Sequence, residues 1–127
     1  MFTINERTES FIASGDLSGC LGRIVDLLGN ADFKVGIATA GGGYGILLNA
    51  PKDKEFASVV LDGISMVRVG GAVQAGQELT SAASGWGTPV TAQASNRVIG
   101  RALTGAASGM LAPVRMGQYY RANSVGA

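Results

Sequence analysis

Few side chains in this sequence can do chemistry, and their types limit which chemistry is open. Its 127 residues include no histidine and one cysteine, Cys20. Lacking histidine removes the commonest general base and the commonest zinc ligand. A lone cysteine excludes an intrachain disulfide and a multi-thiolate metal site. Cys20 lies in the small, apolar run LSGCLG with no basic neighbour, the setting of a buried structural thiol. Serine-based hydrolysis needs a base beside the nucleophile, and only lysine remains for that role. Lys34, Lys52 and Lys54 stand in polar or loop positions, and the GWG around Trp86 is not a nucleophile elbow. Asp53, Glu55 and Asp62 are the carboxylates that would have to pair as acid and base. All three lie in or near turns, where acids are solvated or make turn hydrogen bonds. The run GGGYG, Gly41 to Gly45, offers backbone N–H groups to a phosphate, but ILLNAP follows it, strand-like and ended by Pro51. A phosphate loop needs a helix there, with a GKS or GKT sequence. The expectation is a protein without enzymatic activity, metal or cofactor.

The elements around these residues read as short strands punctuated by glycine. SFIAS is one. FKVGIAT alternates, with Phe33, Val35 and Ile37 on one face. Tyr44 to Leu48 is another, followed by the charged, proline-bearing loop NAPKDKE. FASVVLDGISMVRV holds the densest β-branched run, with Val59, Val60, Ile64, Val67 and Val69. Asp62-Gly63 within it is either a type I′ hairpin turn or a glycine bulge in one long bent strand. QELTSA is a short strand, and SGWGTPV is a hairpin tip with Trp86 between glycines. NRVIGRALTGA is a strand with Gly100 as a bulge. In MLAPVRM, Pro113 implies an edge strand or a non-bonding position. Leu17 to Leu28 has some helical spacing, but Gly19 and Gly22 each cost about 1 kcal/mol relative to alanine, leaving a short helix or a strand. The pattern predicts an all-β protein, a small antiparallel β-barrel or sandwich over residues 11–116. An N-terminal arm (1–10) and a C-terminal tail (117–127) flank it.

No apolar run approaches the ~20 residues needed to cross a membrane, and the polar opening MFTINERTES does not read as a secretory leader. Charged residues are sparse, which fits a surface partly covered by other subunits. All nine acids lie at or before Glu78; beyond it come only Arg97, Arg101, Arg115 and Arg121. Four dispersed arginines make a poor nucleic-acid footprint, so no direct nucleic-acid contact is expected.

Two segments carry a resemblance to a known family: GILLNAPKDKEFASVVLDGISMVRVGGAVQAGQELTS and VIGRALTGAASGMLAPVRM. Their order of short strands and glycine turns resembles the small β-barrel decoration (cement) proteins of tailed-bacteriophage capsids. The resemblance spans roughly Gly15 to Met116. It implies a structural virion protein made in the host bacterial cytoplasm. Such a protein binds the outer surface of an assembled shell, with the major capsid protein as partner and a homotrimer as the working form. Candidate capsid or intersubunit contacts are Phe2 on the arm, Trp86 at the hairpin tip, and Tyr119, Tyr120 and Arg121 on the tail, because interfaces enrich aromatic residues and arginine. Trp86 has a second possible role as a lid on the barrel end. Two other readings remain: another virion part, such as a tail-tube, head-completion or head-spike module, and a carbohydrate-binding β-module. The second wants an aromatic platform, and Tyr44, Trp86, Tyr119 and Tyr120 are scattered along the chain. Lipoyl and biotinyl carrier domains share the glycine rhythm but place a lysine at the hairpin tip, where this chain has Trp86.

Overall fold

The computed structural model describes residues 7–29, 32–90 and 97–120, with the side chains of residues 7 and 118–120 left outside the description. Among the described residues the protein is all-β, with ten strands and a single 3-10 turn at Ala83–Gly85. Strands β1 (Arg7–Ala13), β2 (Ile24–Leu27), β3 (Lys34–Ile37), β4 (Gly45–Leu47) and β5 (Phe56–Asp62) close into a barrel in the order β1-β3-β2-β4-β5. Strands β6 (Ile64–Arg68), β7 (Glu78–Ser81), β8 (Gly87–Pro89), β9 (Arg97–Ala102) and β10 (Leu111–Tyr120) form a second sheet, ordered β6-β10-β9-β7-β8. The β1–β3 pair is parallel; the other ladders are antiparallel. In the second sheet a parallel bridge, Val69 to Gly87, draws the two outer strands together.

The two sheets are two copies of one unit. Reading β6 to β10 as β1 to β5 reproduces every neighbour relation, including the parallel closure of first strand against third. The offset is roughly 55 residues, the length of one supersecondary repeat. Backbone hydrogen bonds repeat in pairs. Ala13 N–H donates to Glu55 O and Val69 N–H to Met110 O, both at 2.9 Å. Leu17 donates to Pro51 O and Val73 to Ala106 O, again both at 2.9 Å. Leu48 donates to Ser58 O at 2.8 Å, and Leu103 to Pro113 O at 2.9 Å. Gly45 and Gly100 correspond as well, and both are glycine for one reason. At Gly45 a Cβ would collide with Val59 and the Val60 carbonyl, and at Gly100 with Val114 and the Arg115 carbonyl.

Each unit fills its own interior. Phe11, Ala13, Leu17, Val25, Val35, Leu47, Ala57 and Val59 pack the first. Val67, Val69, Val73, Leu79, Ala102, Ala112 and Val114 take the matching positions in the second. The units join through a row on the outer face of the first barrel. Ile24 pairs with Ile46 and Ile46 with Val60 across three strands; all three are fully buried and belong to the second unit's core cluster. The approach is close enough that a Cβ on Gly85 would stand 2.5 Å from the Ile24 carbonyl oxygen. Gly41 N–H donates to Ser81 O at 2.8 Å and Arg68 N–H to Gly22 O at 2.8 Å, tying the units by backbone.

Several expectations change on this frame. The span 11–116 holds two units, and the strands overrun it: β1 begins at Arg7, inside the expected arm, and β10 continues to Tyr120, inside the expected tail. Leu17 to Leu28 is a turn followed by β2, with Gly22 at φ +82°. Asp62-Gly63 is not a hairpin. Gly63, at φ +92°, carries the chain from the last strand of one unit into the first of the next. Gly100 pairs with Met116 at the edge of a register shift, and the extra residue of that irregularity lies on β10 between Met116 and Tyr119; at Gly100 itself the strands approach too closely for a Cβ. Pro113 sits on a central strand and not an edge: it is registered with Met66 of β6, and its carbonyl accepts from Leu103 N–H one residue beyond the last β9 pair. Phe33 leaves the buried face of FKVGIAT because it is a turn residue at φ +55° and 71% exposed.

Candidate interaction site

Among the described residues the notable side chains lie on surfaces. The glycine run 41–43 has its N–H groups committed: Gly41 donates to Ser81 O, Gly42 to Thr39 O, and Gly43 to Asp26 Oδ1 at 2.9 Å. An anion would meet the Asp26 carboxylate there, so the loop cannot cradle phosphate. Cys20 is half-buried against the first core. Asn49 and Glu55 serve turns, donating to Phe56 O and accepting from Lys52 N–H respectively. Among the described residues no cluster of His, Cys, Asp or Glu is placed to hold a metal ion. Among the same residues no helix is long and apolar enough to cross a membrane.

Trp86 lies at the junction of the two units. The β7–β8 hairpin presents it, and the Arg23 guanidinium from the first unit stacks 4.4 Å from its ring centroid. Gly70 is its floor, since a Cβ there would stand 2.6 Å from the Trp86 Cβ. Ala82, Ser108 and Gly109 complete a cleft beside the ring. Half-buried, Trp86 therefore bridges units and keeps part of its surface open.

Three further patches were missed by sequence reasoning. An apolar hollow between the units is lined by Leu21, Leu48, Met66 and Leu111, each more than a third exposed. On the first unit, Phe33 and Phe56 flank Ile12 of β1 and are 71% and 74% exposed. On the second, Arg101 and Arg115 are registered partners on adjacent strands, both exposed, bordering a groove of about 400 Å³ with Leu103 and Gly117. Like charges directly opposite on a sheet disfavour folding, which marks this pair.

The expected contact residues are not brought together. Phe2 and Arg121 lie outside the described residues. Tyr119 and Tyr120 continue β10, paired in backbone register with Val98 and Arg97 beyond an irregularity after Met116, and their side chains lie outside the description. Only Trp86 has its surroundings defined.

Neither a protein-family profile nor a curated protein sequence matches the chain. Among solved structures, it is similar to the N base of the head fiber protein gp8.5 of bacteriophage phi29. The TM-score is 0.71, covering 93% of this chain and 99% of that one, at 15% identity. At that identity the likeness is one of fold alone, and it covers nearly the whole chain.

Proposed function

We propose that the protein is a structural component of a phage virion, seated on the outside of the head. The observation that carries this reading is the match of a two-unit fold, over nearly its whole length, to the base of a head fiber. The chemistry agrees: hydrogen-bonded turns occupy the glycine loop and the acids near it, while exposed apolar and arginine patches offer contact surface. In its finer form the reading is a decoration protein. It binds the outer capsid surface with the major capsid protein as partner and acts as a homotrimer, without catalysis, nucleic acid or membrane. Repetition over a shell multiplies weak single contacts, so no one patch need bind tightly. A second form, the base of a head fiber or spike, is favoured by the structural neighbour, itself a head fiber base.

Co-sedimentation of the purified protein with expanded shells of its parent phage, counting copies per shell, tests the reading. Saturable binding at a fixed number of sites is expected. Removal of residues 1–6 and 121–127 should lower occupancy while leaving the melting temperature unchanged. Absence of binding to every shell form would overturn the proposal.

A further inference from the structure

Two of the arginines in the second unit are engaged within the molecule. Arg68 donates to the Gly109 carbonyl at 2.8 Å, and Arg97 has an interaction of its own. The side chains of Arg101 and Arg115 make no hydrogen bond or ion pair with any described residue. They stand opposite each other in register on β9 and β10. Their neighbours Ala102 and Val114 face the core, so both arginines lie on the outer face of the sheet, and both are exposed. Side chains directly opposite on a sheet have Cβ atoms about 4.5–5.5 Å apart, and like charges there repel. A surface charged for solubility intersperses the two signs. Here Glu78, registered with Arg101 on β7, offsets at most one of the two charges and already has an interaction within the molecule. No acid follows it in the sequence. Beside the pair lies the groove of about 400 Å³. Leu103, 41% exposed, and the edge of Met116 line it. Gly117 leaves it open, since a Cβ there would meet nothing within 4 Å. The groove therefore joins an apolar floor to two uncompensated cations.

We propose that this groove receives an acidic segment of a partner protein. One carboxylate of that segment is shared by Arg101 and Arg115, and a neighbouring apolar side chain of the same segment lies on Leu103. The planar guanidinium fork matches a carboxylate bidentately, and the cross-strand register brings two such forks to one place. Charge complementarity fixes the sign of the partner: residues 64–120 hold Glu78 against Arg68, Arg97, Arg101 and Arg115. The groove's lining fixes its class. A nucleic-acid strand calls for a track of cations along its phosphates and aromatic rings under its bases. The lining offers two arginines, no ring and an apolar floor, which suits a peptide that alternates acidic and apolar side chains. The contact relieves the repulsion between the two arginines, so binding is strongest for a group that touches both. The inference stands apart from the virion reading, since it concerns only the purified chain and a peptide.

Titration of the full chain, labelled with nitrogen-15, with a blocked peptide of alternating glutamate and leucine tests it, read from the arginine Nε–H signals. Those of Arg101 and Arg115 should shift together and saturate, while those of Arg23 and Arg68 stay in place. The same peptide with glutamine for glutamate should bind about tenfold more weakly, as loss of a charge-assisted hydrogen bond implies. A peptide with serine for leucine should also bind more weakly, because it leaves Leu103 uncovered. Arg101→Gln and Arg115→Gln should keep the parent's melting temperature and each weaken binding about tenfold. No saturable shift at the two arginines, equal affinity for the glutamine peptide, or a variant that binds like the parent would overturn the proposal. So would displacement of the peptide by an equal concentration of inorganic phosphate or oligothymidylate, which would make the groove a phosphate site. Arg115→Lys, which keeps the charge and loses the fork, repeats the test should a glutamine variant lose its fold.

Discussion

Substituting Gly100 by alanine should destabilise the protein by about 2–3 kcal/mol, and Gly45→Ala should do the same. The new Cβ at Gly100 would overlap the Arg115 carbonyl and stand 2.8 Å from Val114 Cγ1. At Gly45 it would overlap Val59 and stand 2.7 Å from the Val60 carbonyl oxygen. A valine methyl can turn away, but a carbonyl in a ladder moves only with its strand. Overpacking of this kind costs about 1–3 kcal/mol, and a distorted ladder bond adds about 1 kcal/mol. Restricting the unfolded chain returns about 0.4–1 kcal/mol. For a chain of this length the net loss lowers the melting temperature by about 6–15 °C. Gly71→Ala is the control, because a Cβ there meets nothing within 4 Å; it should leave stability unchanged or raise it slightly. Thermal and urea unfolding, followed by fluorescence of the single tryptophan and by circular dichroism, read all three variants. A Gly100→Ala protein melting within 2 °C of the parent would refute the close-approach argument. Unequal losses at the two glycines would refute the claim that one cross-strand geometry occurs twice.

Arg23→Ala should shift Trp86 emission to the red and cost about 1 kcal/mol, since the stacked guanidinium both shields the ring and attracts it; unchanged emission would remove the stack. Phe33→Asn should keep or raise stability by up to about 1 kcal/mol, because asparagine tolerates the left-handed region and the phenyl ring is exposed; a clear loss in urea unfolding would show a packing role. Hydrogen bonds from Ser18, its side chain first and its N–H second, hold the exposed Asp16 carboxyl below its ordinary value. A depressed folded-state value contributes stability above the unfolded-state value that is lost as pH falls through the carboxylate range. Asp16→Asn should therefore flatten the acid limb of a stability–pH profile slightly, and an unchanged limb would count against the contact.

Strand content was legible in the sequence where side chains write it. The β-branched run from Val59 to Val69 became β5 and β6, and the glycine-flanked Trp86 marked the tip of the β7–β8 hairpin. The duplication was not legible, for a physical reason. Matching positions keep backbone conformation and hydrogen bonds but change side chains: Phe11 answers to Val67, Leu17 to Val73, Pro51 to Ala106. Identity survives mainly where geometry forbids change, as at Gly45 and Gly100, or in interior pairs such as Ala57 with Ala112 and Val59 with Val114. The junction was hidden for a related reason. Ile24, Ile46 and Val60 face out of their own barrel, so alternation alone assigns them to no core until the second unit covers them. Trp86 was visible as a contact residue or a lid, but its stack with Arg23 across the junction was not.

Two matching rows, Ile24–Ile46–Val60 and Glu78–Arg101–Arg115, show how one sheet face is tuned to being covered or left open. The row Ile24–Ile46–Val60 is covered in every molecule, because Gly63 joins the units by a single residue between β5 and β6. A tether that short makes the local concentration of the partner high, so apolar burial there is permanent and costs nothing in solubility. In the row Glu78–Arg101–Arg115 the two arginines are exposed. An isoleucine-rich row in that place would be an exposed apolar patch and an aggregation hazard, and repeat arrays end in polar faces for the same reason. Arginine resolves the conflict: it is soluble when uncovered, and its planar guanidinium stacks on an aromatic ring when covered. The difference between the two rows therefore follows from the tether: the row that is always covered is apolar, and the row that is not is charged.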